Sequence, residues 1–359
     1  MKREELFREI GAVGDDLIEE AGRELPARRR WFVPAACAAC AVLAAAGLWL
    51  GEPWRQSAGN DTAQLPVLTL DTEKLFDGMG FEGVNAYDIS DYRSGAPELS
   101  GELPETLPVF ENPVPWGTKL TQAEKDAQLA RAEELFAAEA EAGVVSVELW
   151  SNPRVEFEPA LPLPEEYRGA EYSPETMQAL GEYLLRTYPC WFSWMETPTV
   201  SVCGGNYNFD GEQHYTLYVY DAGQDVTDSL MGSAYRTMRL CLNEAGELWL
   251  IWICWPDLSN VIGEYPIISA VEAQELLLGG SCASSVPYEV SGADAVRRAE
   301  LCYRYDQSGI WIPYYRFWVE VPAYAPVEKL GLHTYGAYYV PAVEGQYIAN
   351  MPTYDGSFN

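Results

Sequence analysis

The sequence predicts an α+β protein in which one N-terminal transmembrane helix precedes extracytoplasmic antiparallel sheets packed with a few helices. Three observations lead to this fold class. An uncharged run of twenty residues stands near the N-terminus, polar helix starts are widely spaced along the rest of the chain, and several segments between them alternate apolar and polar residues. Because these segments follow one another in meanders, they favour antiparallel sheets over a parallel α/β fold.

Composition and charge exclude several classes of protein. The 359 residues are 48% hydrophobic, enough for a large core and too apolar for a disordered chain. Lys and Arg number 23 against 54 Asp and Glu, a net charge of −31. Nucleic-acid binding needs clustered basic residues, so this balance excludes it. The chain has two histidines, His214 and His333, which removes most histidine-based catalysis and most zinc sites.

Residues 31–50, WFVPAACAACAVLAAAGLWL, carry no charge and are long enough to cross a bilayer as a helix. Three arginines precede the run: Arg28, Arg29 and Arg30. Positive charge on this side predicts a cytoplasmic N-terminus and an extracytoplasmic C-terminal domain. A signal peptide cleaved near Ala46 and a buried soluble helix are the alternatives. Thirty preceding residues are too many for an ordinary signal peptide, so we expect a single-pass anchor in the cell membrane.

The cytoplasmic tail, residues 1–30, has apolar residues at helical spacing. The side chains expected to bind a partner are Leu6, Phe7, Ile10, Leu17 and Ile18. An apolar helix face of this kind suits docking to a cytoplasmic partner helix. The alternative is a short helix that lies on the membrane surface or frays in solvent.

Residues 51–118 are predicted to be an extracytoplasmic tether, because seven prolines and many glycines interrupt the segment. Two apolar fragments, residues 67–70 and 109–110, are candidates for edge strands that add to a later sheet.

Residues 119–266 are predicted to form an α+β domain. Thr121 and Glu124 make a capping box for a helix that runs to about Gly143, and Ser173-Pro174 starts a second helix. Alternation predicts strands over 144–150, 199–203, 214–220, 235–242 and 248–255. The turn residues at 243–246 join the last two as a hairpin.

Residues 267–359 are predicted to form a C-terminal module of one helix and three strands. Ser269 and Glu272 make a capping box, and Gly279-Gly280 ends the helix. Strands are predicted over 296–305, 310–321 and 337–343. In the first strand two sets of side chains face opposite ways: Ala299, Leu301, Tyr303 and Tyr305 on one side, and Arg298, Glu300, Cys302 and Arg304 on the other.

Residues 267–345 resemble the helix–strand–strand–strand modules of PepSY-like domains and of YycH/YycI-type regulatory proteins. The residues that carry the resemblance are the helix at 269–278, the strand segment IPYYRF at 312–317 and the segment YYVPAVEG at 338–345. A short cytoplasmic tail, one membrane helix and an extracytoplasmic domain also match that layout. The resemblance implies a non-enzymatic modulator that contacts a sensor kinase or another envelope partner.

Metal and cofactor sites are not expected. Asn206, Asn208 and Asp210, followed by Gly211, look like the start of a calcium loop, but position twelve is Leu217 rather than a bidentate Glu. We therefore expect a turn between two strands, with a loose cation site as the alternative.

Enzymatic activity is not expected either. Neither histidine has a distinctive nucleophile motif beside it, and the many carboxylates make any chosen pair uninformative about glycoside hydrolysis. A hydrolase is the alternative. Six cysteines lie beyond the membrane run without a C-x-x-C motif: Cys190, Cys203, Cys241, Cys254, Cys282 and Cys302. The pattern favours buried free thiols over disulfides.

The leading hypothesis is a membrane-anchored regulatory or signalling accessory of a bacterial cell envelope, with a kinase or a sigma-factor system as the expected kind of partner. The alternative is a module that binds cell-wall carbohydrate. Trp249, Trp252 and Trp255 in one strand, and Trp191 and Trp194 around Phe192, are expected in the core. Exposure of Trp249 or Trp252 favours the carbohydrate hypothesis, and an apolar groove along the C-terminal sheet favours the regulatory one.

Overall fold

The computed structural model describes residues 65–70, 82–97, 103–111, 120–137, 143–147, 153–167, 173–306, 309–323 and 325–356. The described residues belong to one compact unit, Gly59–Asn359. Within them, no helix is long and apolar enough to cross a membrane. The predicted anchor at 31–50, the arginines Arg28–Arg30 and the predicted docking face of the tail lie outside the described residues.

Two antiparallel sheets, five α-helices and several short 3-10 helices make up the described fold, so the α+β class is confirmed. The strands are β1 (Gly83–Ala86), β2 (Thr106–Glu111), β3 (Gly143–Val147), β4 (Pro153–Leu161), β5 (Pro198–Tyr207), β6 (Gln213–Asp221), β7 (Thr237–Leu242), β8 (Leu248–Cys254), β9 (Val261–Pro266), β10 (Ala283–Ser284), β11 (Val296–Asp306), β12 (Ile310–Val321) and β13 (His333–Pro341). The helices are α1 (Gln122–Leu135), α2 (Pro174–Thr187), α3 (Val226–Tyr235), α4 (Ala270–Leu278) and α5 (Ala325–Glu328).

The six-stranded sheet has the order β3-β4-β8-β7-β6-β5. Helices α1 and α2 cover one of its faces, and the core between them contains Leu180 and Leu184 of α2 together with Trp191 and Ile251. The strands contribute to this core through every second residue, because alternate side chains of a strand point to the same face of the sheet. The other face of the sheet carries polar and aromatic side chains.

The seven-stranded sheet has the order β1-β13-β12-β2-β9, with β10 paired to β13 and β11 paired to β12. Both of its faces are covered. Helices α3 and α4 pack on one face, and Leu68, Leu70, Ile89 and Tyr92 pack on the other. Burial on both sides explains why β12 is buried along almost its whole length.

Within the described residues, helix α3 and a segment after β1 both contact the two sheets. Helix α3 connects β6 to β7 of the six-stranded sheet, yet its Leu230 and Met231 pack in the core of the seven-stranded sheet. The strap, residues 89–97, leaves β1 and reaches β5, where Arg93 and Gly204 exchange backbone hydrogen bonds of 2.7 and 2.9 Å. Three strands of the seven-stranded sheet come from outside the predicted C-terminal module. Strands β1 and β2 lie in residues 51–118, the predicted tether, and β9 lies in residues 119–266, the predicted α+β domain.

Several predicted elements agree with the structure. Thr121 and Glu124 form the expected capping box of α1, and Ser269 and Glu272 form that of α4. The β7–β8 hairpin turns at Asn243, whose side-chain oxygen accepts from the backbone of Ala245 and Glu247. Strands β11 and β12 lie where the alternation predicts them.

Other elements differ from the prediction. Helix α1 ends at Leu135, well before Gly143, which instead begins β3. The residues around Tyr235, predicted to begin a strand, end α3 instead, and β7 begins at Thr237. Strands β4 and β9 and helix α3 have no counterpart in the prediction.

Candidate functional site

A polar cleft lies between the two sheets, beside the free edge of β11. One part, here called the arginine compartment, has a volume of about 510 Å³. Its lining residues come from the strap, β5, β6, α3, β7, β11 and β12. A second part of about 910 Å³, the strap compartment, continues along residues 298–301 of β11. Clefts of this size at the junction of two layers are where small-molecule sites occur.

The six-stranded sheet supplies one wall of the cleft. In β6, Leu217 and Val219 are fully buried in the core, while Thr216, Tyr218 and Tyr220 alternate with them and line the cleft. The same period-two pattern places hydroxyl groups and aromatic rings on one face of a strand whose other face is apolar. The wall is therefore polar because of the strand's own sequence.

The opposite wall contains a carboxylate that accepts from many donors. Glu300 Oε2 accepts from Nε and Nη2 of Arg316 at 2.9 and 2.7 Å and from Nε1 of Trp318 at 2.9 Å. Its Oε1 accepts from the Ser94 hydroxyl at 2.6 Å and pairs with Nη2 of Arg298 at 2.8 Å. The Glu300 carboxylate is thus fully engaged and is not free to act as a base.

A second carboxylate extends this network. Glu82 Oε1 lies 3.7 Å from Nη1 of Arg316, and Glu82 Oε2 accepts a hydrogen bond from the Tyr339 hydroxyl. The guanidinium of Arg304 lies over the Tyr339 ring, 4.8 Å from its centre. The ion network, defined as Glu82, Arg298, Glu300, Arg304 and Arg316, therefore connects the residue before β1 to β11 and β12.

The network shifts the protonation of its members. Burial alone would raise the pKa of Glu300, but the charges of Arg316 and Arg298 and the hydrogen bonds from Ser94 and Trp318 outweigh burial and lower the pKa. Glu300 is therefore ionised at neutral pH. The Arg316 side chain is only 9% exposed and is paired with this carboxylate.

The strap is held in place by the same face of β11. Nη1 of Arg298 donates to the backbone oxygens of Ile89 and Tyr92 at 3.2 and 2.9 Å. Where the strap meets β5, Gly205 has a φ of +88°, and a Cβ at this position would lie 2.3 Å from the Asp91 backbone oxygen. Glycine is needed there because the two backbones approach so closely.

Two thiols line the arginine compartment, Cys203 of β5 and Cys302 of β11. Burial raises the pKa of both thiols, and the nearby Arg316 only partly offsets it. Both are therefore thiols rather than thiolates at neutral pH, which makes them poor nucleophiles. In the described chain, Cys203, Cys241, Cys254, Cys282 and Cys302 are free thiols; Cys282 is buried, and Cys190 is exposed.

Asn208 and Asp210, for which a loose cation site is the alternative to the expected turn, lie in the turn between β5 and β6. The Asn208 side-chain oxygen accepts from the backbone of Asp210 and Glu212 at 3.0 and 2.9 Å. Asn206 instead lines the cleft. In the described chain, no group of three or more His, Cys, Asp or Glu is arranged to hold a metal ion.

The histidines lie away from the cleft. His214 Nε2 is 3.4 Å from the Asn208 amide nitrogen on an exposed turn. His333 Nδ1 is 2.8 Å from Glu320 Oε1, also near the surface. Neither imidazole lines the cleft compartments described above.

The tryptophans divide between core and surface. Trp191 and Trp255 are buried beside Phe192 in the core of the six-stranded sheet, and Trp194 packs against it, as expected. Trp249 is 40% exposed, so the expectation that it lies in the core is wrong. Trp252 is half-buried beneath the guanidinium of Arg154, 5.6 Å from the ring centre. The aromatic residues of β8 therefore do not form one flat platform.

The sequence predicts the charged face of β11 but not the cleft. The alternation of Arg298, Glu300 and Arg304 is visible in the sequence, and it indicates a half-buried strand. Ser94, which donates to Glu300, and Glu82, which pairs with Arg316, are each more than two hundred residues away from their partners along the chain. No local pattern links such distant residues.

No protein-family model matches this chain, and no curated protein matches it. Among solved structures, the chain is similar to the crystal structure of an uncharacterized protein from Eubacterium rectale ATCC 33656. The two share 10% sequence identity with a TM-score of 0.30, and the match covers 67% of this chain and 85% of that chain.

Proposed function

We propose that this chain is a non-enzymatic regulatory or signalling accessory anchored in a bacterial cell membrane. In this proposal residues 31–50 span the membrane once, the tail is cytoplasmic, and the acidic α+β domain is extracytoplasmic. The cleft between the two sheets receives a ligand, and its occupancy changes how the protein acts on a partner in the membrane or cytoplasm. The observation that carries the proposal is the polar cleft bounded by both sheets and the strap.

The position of the cleft supports a sensing role. A ligand in it touches β5 and β6 on one side and β11 on the other, together with the strap that joins them. Such a ligand has different contacts in a closed and an open arrangement of the two walls. It therefore shifts the balance between these arrangements by its difference in affinity.

The chemistry of the cleft favours binding over catalysis. Glu300 is saturated with hydrogen bonds, and burial keeps Cys203 and Cys302 protonated. A nucleophile needs a neighbouring base or a depressed pKa, and these thiols have raised pKa values. A role in binding requires neither.

The partner contact is assigned to the tail. Leu6, Phe7, Ile10, Leu17 and Ile18 share one face at helical spacing. An amphipathic helix of this kind docks its apolar face into a groove on another helix. A membrane kinase or a sigma-factor system is the kind of partner that offers such a contact.

Crosslinked capture from membranes tests this proposal. We expect full-length protein to recover a regulatory protein that is lost when residues 1–24 are deleted, because the deletion removes the apolar face and keeps Arg28–Arg30 for topology. The double variant Leu6→Glu/Ile10→Glu should lose the same protein. The matched control Glu4→Gln/Glu9→Gln, which changes charge and keeps the apolar face, should retain it. Equal recovery by all four proteins would contradict the proposal.

One observation favours a second function, binding of cell-wall carbohydrate. Trp249 is 40% exposed, and exposed rings stack on sugars. If the capture experiment recovers wall material and no regulator from both full-length and truncated protein, the tail is only an anchor. The carbohydrate hypothesis then replaces the regulatory one.

A further inference from the structure

The strap compartment lies beside the edges of two strands. Residues 298–301 of β11 and residues 200–202 of β5 line it as consecutive runs. Alternate side chains of a strand point to opposite faces, so a cavity that touches consecutive residues lies beside the strand's edge. Strand β5 ends the six-stranded sheet, and among the described strands β11 pairs with β12 alone. One edge of each sheet therefore borders this compartment.

The strand ladder shows which backbone groups of β11 point to its free edge. The backbone oxygen of Pro313 in β12 accepts from Ala342, so odd-numbered residues of β12 point their backbone groups toward β13. Because this direction alternates along a strand, even-numbered residues of β12 point toward β11. The register pairs them with even-numbered residues of β11. The backbone groups that point away from β12 are therefore those of Ala299, Leu301 and Tyr303.

The free edge of β5 follows from its contact with the strap. Gly204 exchanges two backbone hydrogen bonds with Arg93, so its N–H and C=O groups point away from β6. Alternation directs the backbone groups of Val200 and Val202 the same way. Gly95 has a φ of +80°, which takes the strap out of the extended conformation. Within the described chain, the strap makes no backbone hydrogen bond to β5 beyond Gly204.

These two rows of edge groups lack backbone partners. In the part of the chain that the structure describes, no backbone hydrogen bond is made by the outward N–H and C=O groups of Val200, Val202, Ala299, Leu301 and Tyr303. Val202 is 6% exposed, and Leu301 and Tyr303 are each 4% exposed. Buried backbone groups are almost always paired, because an unpaired one loses its bond to water. Unpaired edges are templates for a further strand.

We propose that the strap compartment binds an extended peptide segment of a partner protein, which adds as one strand between the edges of β11 and β5. This inference rests on the proposed function, because it names the class of ligand for the same cleft. Strand addition derives its affinity from main-chain hydrogen bonds. The strap already shows this arrangement locally, since Arg93 pairs with β5 while Ser94 donates to Glu300 of β11.

The lining side chains favour a peptide with small, uncharged residues. Small or short polar residues are frequent in the compartment, among them Ser90, Ser94, Ala96, Ser201, Ser229 and Ala299. Its acid, Glu300, is already paired with Arg298 and Arg316, so it does not select a basic peptide. Because β5 and the strap stand opposite β11, the compartment encloses one segment rather than the sheet of a second copy.

Isothermal titration of the full-length protein in detergent tests the inference. The probe is a terminally blocked peptide of five residues in which threonine and valine alternate. Two control peptides keep this sequence, one with its odd-numbered backbone nitrogens methylated and the other with its even-numbered nitrogens methylated. We expect the unmodified peptide to bind and each methylated peptide to bind about tenfold more weakly, because each loses donors to one of the two edges.

A variant of the β11 edge provides the same test from the side of the protein. Ala299 is exposed, and its N–H points away from β12, so proline at this position removes an edge donor and keeps the ladder. We expect Ala299→Pro to weaken binding about fivefold. The matched control Ala299→Ser keeps the N–H and should bind like wild type. Thermal unfolding curves report whether each variant is folded, and the methylated peptides need no variant.

Any of three results would overturn the inference. The first is no binding of the unmodified peptide at millimolar concentration. The second is equal binding of the three peptides, or equal binding by wild type and folded Ala299→Pro. The third is a wild-type dimer that becomes monomeric in Ala299→Pro, which would assign the edge to a second copy. If the peptide fails to bind but filling the cleft still changes the recovery of a partner, the ligand is not an extended peptide and the proposed function stands.

Discussion

Glu300 connects three elements at the scale of single residues. Its carboxylate is paired with Arg316 of β12 and Arg298 of β11, and it accepts from Ser94 of the strap. Its side chain is 12% exposed and that of Arg316 is 9% exposed, so both charges are largely removed from water. Such a pair is costly to form and costlier to break, because removal of one partner leaves the other charge buried and uncompensated.

We expect Glu300→Ala to lower the free energy of unfolding by about 3–5 kcal/mol, the usual cost of leaving a buried charge unpaired. The matched control is Glu156→Ala. Glu156 pairs with Arg154 at 3.1 Å on a half-exposed surface, so its loss should cost about 0–1 kcal/mol. Chemical denaturation of the wild type and the two variants measures both values. Equal effects would show that the Glu300 network does not stabilise the fold.

The stability that the Glu300–Arg316 pair contributes should depend on pH in a defined direction. Because the pKa of Glu300 is lowered in the folded state, the unfolded chain binds the proton more readily as the pH falls. The stability that Glu300 contributes is therefore present above the unfolded pKa, about 4.3, and is lost as the pH falls through the folded pKa. The difference between wild type and Glu300→Ala should shrink below about pH 4. A constant difference would contradict the assignment.

Residue-level prediction from the sequence succeeded for the strand and failed for the site. Alternation placed Arg298, Glu300 and Arg304 on one face of β11, and the structure confirms that arrangement. The residues that convert this face into a cleft wall come from the strap and from β6. Their proximity is a product of tertiary packing, which local periodicity does not contain.

At the scale of elements, the sequence predicted those with strong local signals. The capping boxes of α1 and α4 and the turn between β7 and β8 are local hydrogen-bond patterns, and all three are present. Helix α3 was missed because Gly232 and its Ser and Thr residues are weak helix formers. Its stability comes from the packing of Leu230 and Met231 on the seven-stranded sheet.

Gly232 in α3 provides a test of that packing. A Cβ at this position would lie 1.6 Å from the Asp221 backbone oxygen, at the end of β6. Helix propensity alone predicts that Gly232→Ala stabilises the protein by about 1 kcal/mol. Because the added Cβ would overlap the Asp221 oxygen, we expect Gly232→Ala to destabilise the protein instead. Overpacking of this kind should lower the free energy of unfolding by about 1–3 kcal/mol.

The matched control for this substitution is Gly279→Ala at the end of α4. Gly279 has αR geometry, and its added Cβ would make ordinary contacts of 3.4 Å, so the variant should be neutral. Thermal unfolding compares the two variants. A stabilised Gly232→Ala protein would show that α3 is not held against β6 as described.

At the scale of the whole molecule, the distribution of charge agrees with the proposed membrane topology. Residues 51–359 carry 46 acidic and 16 basic side chains, so nearly all of the net charge lies in the domain proposed to be extracytoplasmic. An anionic membrane surface repels such a domain and keeps its cleft accessible to ligands.

The division into a 51–118 tether, a 119–266 domain and a 267–359 module stays a prediction, while the seven-stranded sheet draws strands from all three segments. Strand pairing over such distances leaves no signature in a single sequence.

The central claim is that the cleft between the two sheets controls the protein's action on its partner. Ser201 of β5 lines both compartments, so Ser201→Trp fills the cleft without changing charge. Ser259→Trp on an exposed loop is the matched control. Crosslinked capture of the partner should change severalfold for full-length Ser201→Trp and remain at the wild-type level for Ser259→Trp. Equal recovery by all three proteins would contradict the account.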